Sequence, residues 1–197
     1  MNPHRMNMST STLRTLGALV LAALLSAPAG VLAATAWNTD AGSTLEFSAS
    51  AEGEAFTGRF GNFDAKIVFD PADLAGSSFN VEIDLASADS ASAERDEMLL
   101  GSEFFDVANT PKATYVATAF RELGAGRFAA DGTLTLRGIA KPVVLEFSWS
   151  ADGDNATLKG QASVNRLAFE VGAGDWSDAS TIVHEIGVAT SLTLRAQ

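Results

Sequence analysis

No cysteine occurs anywhere in the chain. Thiol nucleophiles, thiolate metal sites and disulfides are therefore excluded, and core burial alone must hold the fold together. Histidine is almost as scarce: of the 2 present, His4 lies near the start and only His184 in the remainder. With one imidazole and no thiol, neither a transition-metal site nor a cofactor is expected. The chain lacks G-x-S-x-G, H-E-x-x-H, a P-loop and a dinucleotide fingerprint. Gly172-Ala173-Gly174 is a lone glycine pair with no phosphate-binding specificity, and the acid pairs Asp96/Glu97 and Asp152/Asp154 read as helix-start and turn residues. No catalytic residues are expected. Positive charge is also short, with 13 basic against 24 acidic residues and a net charge of −11. Such a balance argues against binding nucleic acid or an anionic lipid surface by charge.

There is one long apolar run, Leu16 to Leu25, preceded by Arg5 and Arg14 and followed by Pro28, Gly30 and small residues. It is too short for a stable membrane anchor and has the layout of a secretory signal peptide. Residues 1–33 are read as that leader, with cleavage after Ala33 favoured over cleavage after Ala36. The expectation is export to the periplasm and a single domain over residues 34–197.

From Trp37 onward the chain alternates apolar with polar residues, as strands with one buried face do. Leu45, Phe47, Ala49 and Ala51 share one face; Phe56, Gly58 and Phe60 share the next. The apolar parity then slips at Gly61-Asn62, which fits a β-bulge, and continues through Phe63, Ala65, Ile67 and Phe69. Phe79, Val81, Ile83 and Leu85 form the cleanest strand. Between Lys112 and Leu123 the face is ambiguous, because Ala113, Tyr115, Ala117 and Ala119 compete with Val116 and Phe120. Turn signals at Gly124-Ala125-Gly126, Gly138 to Pro142 and Asp152 to Asn155 separate the later strands, whose inward sets include Leu134 and Leu136, then Val143, Leu145, Phe147 and Trp149. Leu158 to Val164 and Ile186 to Leu194 complete the count at about eight. An antiparallel meander of that size closes into a barrel that has no free edges. Small inward residues, Ala49, Ala51, Gly58, Ala65, Gly160 and Ala162, suggest a ligand channel rather than a solid interior.

One stretch, Glu94 to Asp106, breaks the alternation. Ser92 can cap a short helix with Glu94 and Asp96 in its first turn, and Gly101 can end it as the residue after the C-cap. Ser102 then starts a turn carrying Phe104 and Phe105. The segment falls between the third and fourth strands, in what reads as the single long connection, so it can cover one end of the barrel. Parity also points Arg166 inward, where a buried guanidinium requires partners. Asp106 or Asp175 could supply a carboxylate; alternatively Arg166 holds the polar end of a ligand, and His184 reads as a rim position.

Four blocks resemble those of the YceI-like family. They are Met98-Leu99 with Phe104-Phe105-Asp106; Asn109-x-Pro111-x-Ala113-x-Tyr115; Gly132 to Val143; and Asn165-Arg166-x-x-Phe169-x-Val171-Gly172. Two positions depart from the family pattern, Arg137 where many members carry His, and Ala168. The resemblance implies an exported, all-β protein: an extended, lipocalin-like, eight-stranded antiparallel up-and-down barrel that holds a polyisoprenoid, such as a quinone-type molecule, or another long-chain lipid. The expected wall is Phe47, Phe60, Phe69, Phe79, Ile83, Leu136, Phe147 and Leu192, closed by Met98, Leu99, Phe104 and Phe105, with Arg166 at a strand end. Expected partners are the lipid and, transiently, a membrane or membrane protein; a homodimer is compatible with such a module. The alternatives are an enzyme acting on the bound lipid, with Arg166, His184 or Asp106 at the mouth, and a scaffold or envelope-stress protein with a filled core.

Overall fold

A computed structural model of the chain describes residues 34–197. The expected leader, residues 1–33, lies outside the described residues. Eleven strand segments form one antiparallel sheet that closes on itself. The first barrel strand is β1 (Ala36–Thr39) plus β2 (Thr44–Ala51), and the second is β3 (Glu54–Phe60) plus β4 (Phe63–Val68). β5 (Ser78–Asp84), β7 (Lys112–Gly124), β8 (Arg127–Leu136), β9 (Ile139–Asp152), β10 (Asn155–Asn165) and β11 (Glu185–Ala196) follow, with the two-residue β6 (Ala88–Asp89) lying against β3. Counting the two interrupted strands once each gives a barrel of eight. It closes because β1 pairs with both β4 and β11 while β2 continues along β11.

The parity slip at Gly61-Asn62 is where the second barrel strand changes partners: β3 lies against β2, whereas β4 lies between β1 and β5. The Gly61 N–H donates to the Ser87 carbonyl at 3.0 Å instead of to a ladder neighbour. It is thus a break between two strand segments rather than a bulge within one. The ambiguous strand resolves in the same way. Ala113, Tyr115 and Ala117 point inward, the pairing shifts between Ala117 and Ala119, and Phe120 then joins the interior. Of the competing set only Phe120 turns inward, after the shift; Val116 is 43% exposed.

Short turns close one end of the barrel. The other end carries two long connections, 85–111 and 166–184, rather than one. The first contains helix α1 (Ala93–Leu100), which is capped as its sequence predicts: Ser92 Oγ accepts from the Arg95 N–H, and Glu94 and Asp96 stand in the first turn. Gly101, at φ −69°, is not in the left-handed region; its N–H closes a tight last turn on the Met98 carbonyl at 3.0 Å.

Two apolar clusters divide the interior by height. Near the short-turn end, Phe69 packs edge-on against Phe128, Phe147 and Trp149 with centroids 4.9–5.2 Å apart, and Phe79 meets Phe120 at 4.8 Å. Each such aromatic pair adds about 0.5–1.5 kcal/mol beyond area burial. Near the other end Phe47, Leu85, Leu99, Phe104, Phe105, Val164 and Phe169 form the second cluster.

Candidate functional site

Between the two clusters lies a cavity of about 450 Å³, within the range of small-ligand sites. Its wall is overwhelmingly apolar. Of the residues expected to line a channel, Phe47, Phe60, Phe79, Ile83, Leu136 and Leu192 do so, and Met98, Leu99, Phe104 and Phe105 roof it. Phe69 and Phe147 do not: both face inward but belong to the aromatic cluster beneath the cavity. Alternation identifies the face of a strand and carries no information about height along the barrel.

The small inward residues also divide into two kinds. Ala49, Ala51, Ala65 and Ala162 border the cavity. Gly58 and Gly160 leave no space, because neighbours occupy it: a Cβ on Gly58 would fall within the Phe47 ring, and one on Gly160 would lie 3.0 Å from Leu145 Cδ1 and 3.2 Å from Thr190 Cγ2. Gly132 likewise lets the Tyr115 ring lie against β8. The Tyr115 hydroxyl donates to the Ala130 carbonyl at 2.9 Å and also approaches that of Val143 at 3.3 Å. Burial pushes its pKa up to about 12, so the ring stays neutral at the cavity wall.

Arg166 is buried, with 3% of its surface exposed, and has neither Asp106 nor Asp175 as its partner. Asp106 instead accepts from Asn109 Nδ2. All five guanidinium N–H groups meet backbone carbonyls: Nε donates to Val183 at 3.0 Å, Nη1 to Val171 at 3.0 Å and Gly172 at 2.6 Å, and Nη2 to Trp176 at 2.6 Å and Ile182 at 2.9 Å. Burial lowers its pKa, but a guanidinium of that basicity keeps its charge. Because every donor is committed, Arg166 offers no N–H to a ligand headgroup. It borders the cavity and folds the 166–184 connection around itself.

The short turn that places Arg166 begins at Asn165, whose Oδ1 accepts from the N–H groups of Leu167 and Ala168. Gly172 is required in its turn. It sits at φ +60°, where a Cβ would lie 2.8 Å from Arg166 Nη1 and 3.1 Å from the Phe104 ring. Its N–H donates to the Glu103 carbonyl at 2.7 Å and so ties the second connection to the first. Gly172 therefore has a packing role, whereas a Cβ on Gly174 would meet nothing within 4 Å.

Arg137 is a second residue whose role the sequence conceals. In the left-handed region at φ +52°, it reaches across the end of the barrel. Its Nη1 donates to the Ser102 carbonyl at 2.7 Å and to that of Phe104. The roof is thus pinned from two sides, and Phe104 and Phe105 are 4% and 9% exposed. They form a fixed roof rather than a free flap.

The way in lies beside α1. Residues Glu54 to Gly58 of β3 have a strand partner on one side only, because β6 pairs with Arg59 and Phe60 alone. Across that gap the Arg95 guanidinium stacks on the Phe56 ring at 4.1 Å. Arg95 Nε donates to Ser90 Oγ at 2.9 Å and Nη2 to the Ser90 carbonyl at 3.0 Å, while Asp96 Oδ1 accepts from both the Ser90 N–H and hydroxyl. Glu52, Ser92, Glu94 and the partly exposed Met98 also border the cavity there. The rim is therefore polar and the interior apolar. His184 does not border the cavity; its Nε2 donates to the Ser177 carbonyl at 2.9 Å. Arg166, His184 and Asp106 each have separate partners and form no shared acid–base arrangement.

Comparisons with known proteins agree with this geometry. The YceI-like domain model matches residues 37–194. A UPF0312 protein of Vibrio cholerae serotype O1 is 34% identical over 163 residues, covering 80% of this chain and 86% of its own length. The crystal structure of Burkholderia cenocepacia BcnA is 30% identical, with a TM-score of 0.75, covering 79% of this chain and 98% of that one. A polyisoprenoid-binding domain from Saccharophagus degradans, implicated in plant cell wall breakdown, shares the fold at 19% identity and a TM-score of 0.66 over 83% of this chain and 99% of its own. The chain belongs to the YceI-like family.

Proposed function

We infer that this protein binds an apolar-chain lipid, an isoprenoid or a close analogue, in the barrel cavity with the ligand's polar end at the rim beside α1. One observation carries the reading: an apolar cavity of about 450 Å³ that reaches the surface where Glu52, Glu94 and Arg95 stand. Polyisoprenoid binding by the structurally similar Saccharophagus domain supports the same ligand class. Burial is worth about 0.8 kcal/mol per methylene-sized group, so a filled cavity scarcely loses its ligand to water. Exchange with a bilayer is nearly neutral, because acyl chains are as apolar as the cavity wall. That balance suits a carrier or buffer between membranes.

Carriage, export and membrane contact belong to this proposal. The leader would deliver the protein to the periplasm, and the end of the barrel that carries the rim would make transient contact with a membrane or membrane protein. Processing after Ala33 would keep Thr35 and Ala36, whose carbonyls accept from the N–H groups of Phe69 and Gln197. Organic extracts of protein purified without detergent, read by mass spectrometry, test the binding. A stoichiometric lipid, or uptake of added polyprenyl ligand, is the expected result. Repeated absence of both would sink the reading. Cell fractionation with N-terminal sequencing tests the export.

A further inference from the structure

Among the described residues, one cation on the cavity wall has N–H groups to spare. Arg166 commits all five of its donors to backbone carbonyls. The Tyr115 hydroxyl donates to the Ala130 carbonyl, and the Thr190 hydroxyl to the Thr44 carbonyl, both at 2.9 Å. Arg95 differs. It is partly buried and borders the cavity. Its Nε and Nη2 donate along one edge to Ser90, at 2.9 and 3.0 Å, while its Nη1 has no protein acceptor among the described residues.

This guanidinium is held in place before any ligand arrives. The Phe56 ring lies 4.1 Å from it. Ser90, only 3% exposed, is itself fixed by Asp96, whose Oδ1 accepts from the Ser90 N–H at 2.8 Å and from its hydroxyl at 2.6 Å. Arg95 and Asp96 are neighbours in α1, so one helix carries both the free donor and its support. A donor fixed in this way loses little freedom on meeting a ligand. Its charge also makes its hydrogen bonds stronger than those of the neutral Ser92 and Thr181 hydroxyls, which border the cavity as well. Glu52 and Glu94, the carboxylates on the same wall, only accept when ionised.

We propose that Arg95 reads the headgroup: its Nη1 donates to a hydroxyl or carbonyl oxygen at the polar end of the lipid, and the protein thereby selects oxygen-bearing chains over plain hydrocarbons. The proposal rests on the lipid-binding reading above and adds the residue and the chemistry that recognise the polar end. A hydrocarbon of the same chain meets the same apolar wall but leaves Nη1 to water.

The test compares geranylgeraniol with its hydroxyl-free hydrocarbon. Each is offered in neutral phosphatidylcholine vesicles to the protein lacking residues 1–33 and quantified by mass spectrometry after reisolation. The two share a chain, and their preference for the bilayer is the same whichever protein variant is present. A change in the ratio of alcohol to hydrocarbon retained therefore reads the headgroup contact alone. Arg95→Met keeps an apolar stem over Phe56 and removes the donors. It is expected to lower that ratio on the order of tenfold, the worth of one hydrogen bond to a charged group in a partly exposed place. Arg95→Gln, which keeps a neutral amide donor on a shorter stem, is expected to lower it by less, and it decides the matter should Arg95→Met fail to fold. An unchanged ratio in a folded variant, with alcohol and hydrocarbon falling together or not at all, would overturn the headgroup role while leaving lipid binding intact. Retention of neither compound by the unsubstituted protein would overturn the headgroup role together with the binding reading.

Discussion

Replacing Arg166 with Lys separates a clasp from a ligand anchor. Arg166 satisfies five carbonyls, those of Val171, Gly172, Trp176, Ile182 and Val183. An ammonium has three N–H donors and lacks the planar fork. At least two of the five acceptors must therefore lose their partner, in a place where the arginine itself is 3% exposed. Hydrogen bonds to charged groups are worth about 1.5–3 kcal/mol each and are not additive. Arg166→Lys should therefore lower stability by about 3 kcal/mol, and Arg166→Met, which leaves all five carbonyls without the guanidinium, by about 3–5 kcal/mol, as when one partner of a buried polar cluster is removed. Urea unfolding followed by tryptophan fluorescence reads this as a drop in midpoint at constant slope. Trp176 sits in the affected connection and should report its loosening first. If Arg166→Lys keeps full stability and loses only ligand affinity, the guanidinium is a headgroup anchor and the reasoning fails.

Three further outcomes follow from the same geometry. Tyr115 is the sole tyrosine, so alkaline difference absorbance reads it directly, and its midpoint should fall at about 12 rather than at the ordinary value. Because the folded pKa is raised, the associated stability is fully present below about pH 10 and is lost as pH climbs through about 12, a change of roughly 2 kcal/mol once solvent screening is allowed for; an ordinary midpoint would show the ring to be open to water. Arg95→Ala should speed lipid release into acceptor vesicles, since it removes the contact that bridges α1 and β3, yet cost only about 1 kcal/mol in stability; unchanged release kinetics would place the entry elsewhere. Phe104→Ala combined with Phe105→Ala should lower the urea midpoint severely, because each buried phenylalanine is worth about 3–5 kcal/mol, and faster release at full stability would instead restore these residues as a movable flap.

Much of this molecule was legible in its sequence, and the reason is periodicity. A barrel strand has one wet face and one dry face, so Phe79, Val81 and Ile83 or Leu158, Ala162 and Val164 declare their direction. The breaks were legible for the same reason. The slip at Gly61-Asn62 shows as a change of parity, and the irregularity near Ala119 shows as two apolar sets that cannot both be inward on a regular strand. Ser92 and the acids after it gave the start of α1.

The remainder depended on quantities that alternation does not carry. Phe69 and Phe147 have the same parity as Phe47 and Phe60, but they lie at a different depth and belong to the aromatic cluster rather than the wall. Depth emerges only once the strand register is known. Gly58 and Gly160 look like space, and become filled by Phe47 and Leu145 when the neighbouring strands are in place. The partners of Arg166 were missed because they are carbonyls, which every residue possesses and no sequence distinguishes. Arg137 was hidden for a related reason: its acceptors, the Ser102 and Phe104 carbonyls, are more than thirty residues away along the chain.

Native mass spectrometry of the protein lacking residues 1–33, purified without detergent and then exposed to farnesol-loaded vesicles, tests the central claim most directly. The account predicts a mass increase equal to one isoprenoid chain per barrel, retained through buffer exchange and lost on unfolding. An unchanged mass under conditions where the barrel is shown to be folded would contradict it.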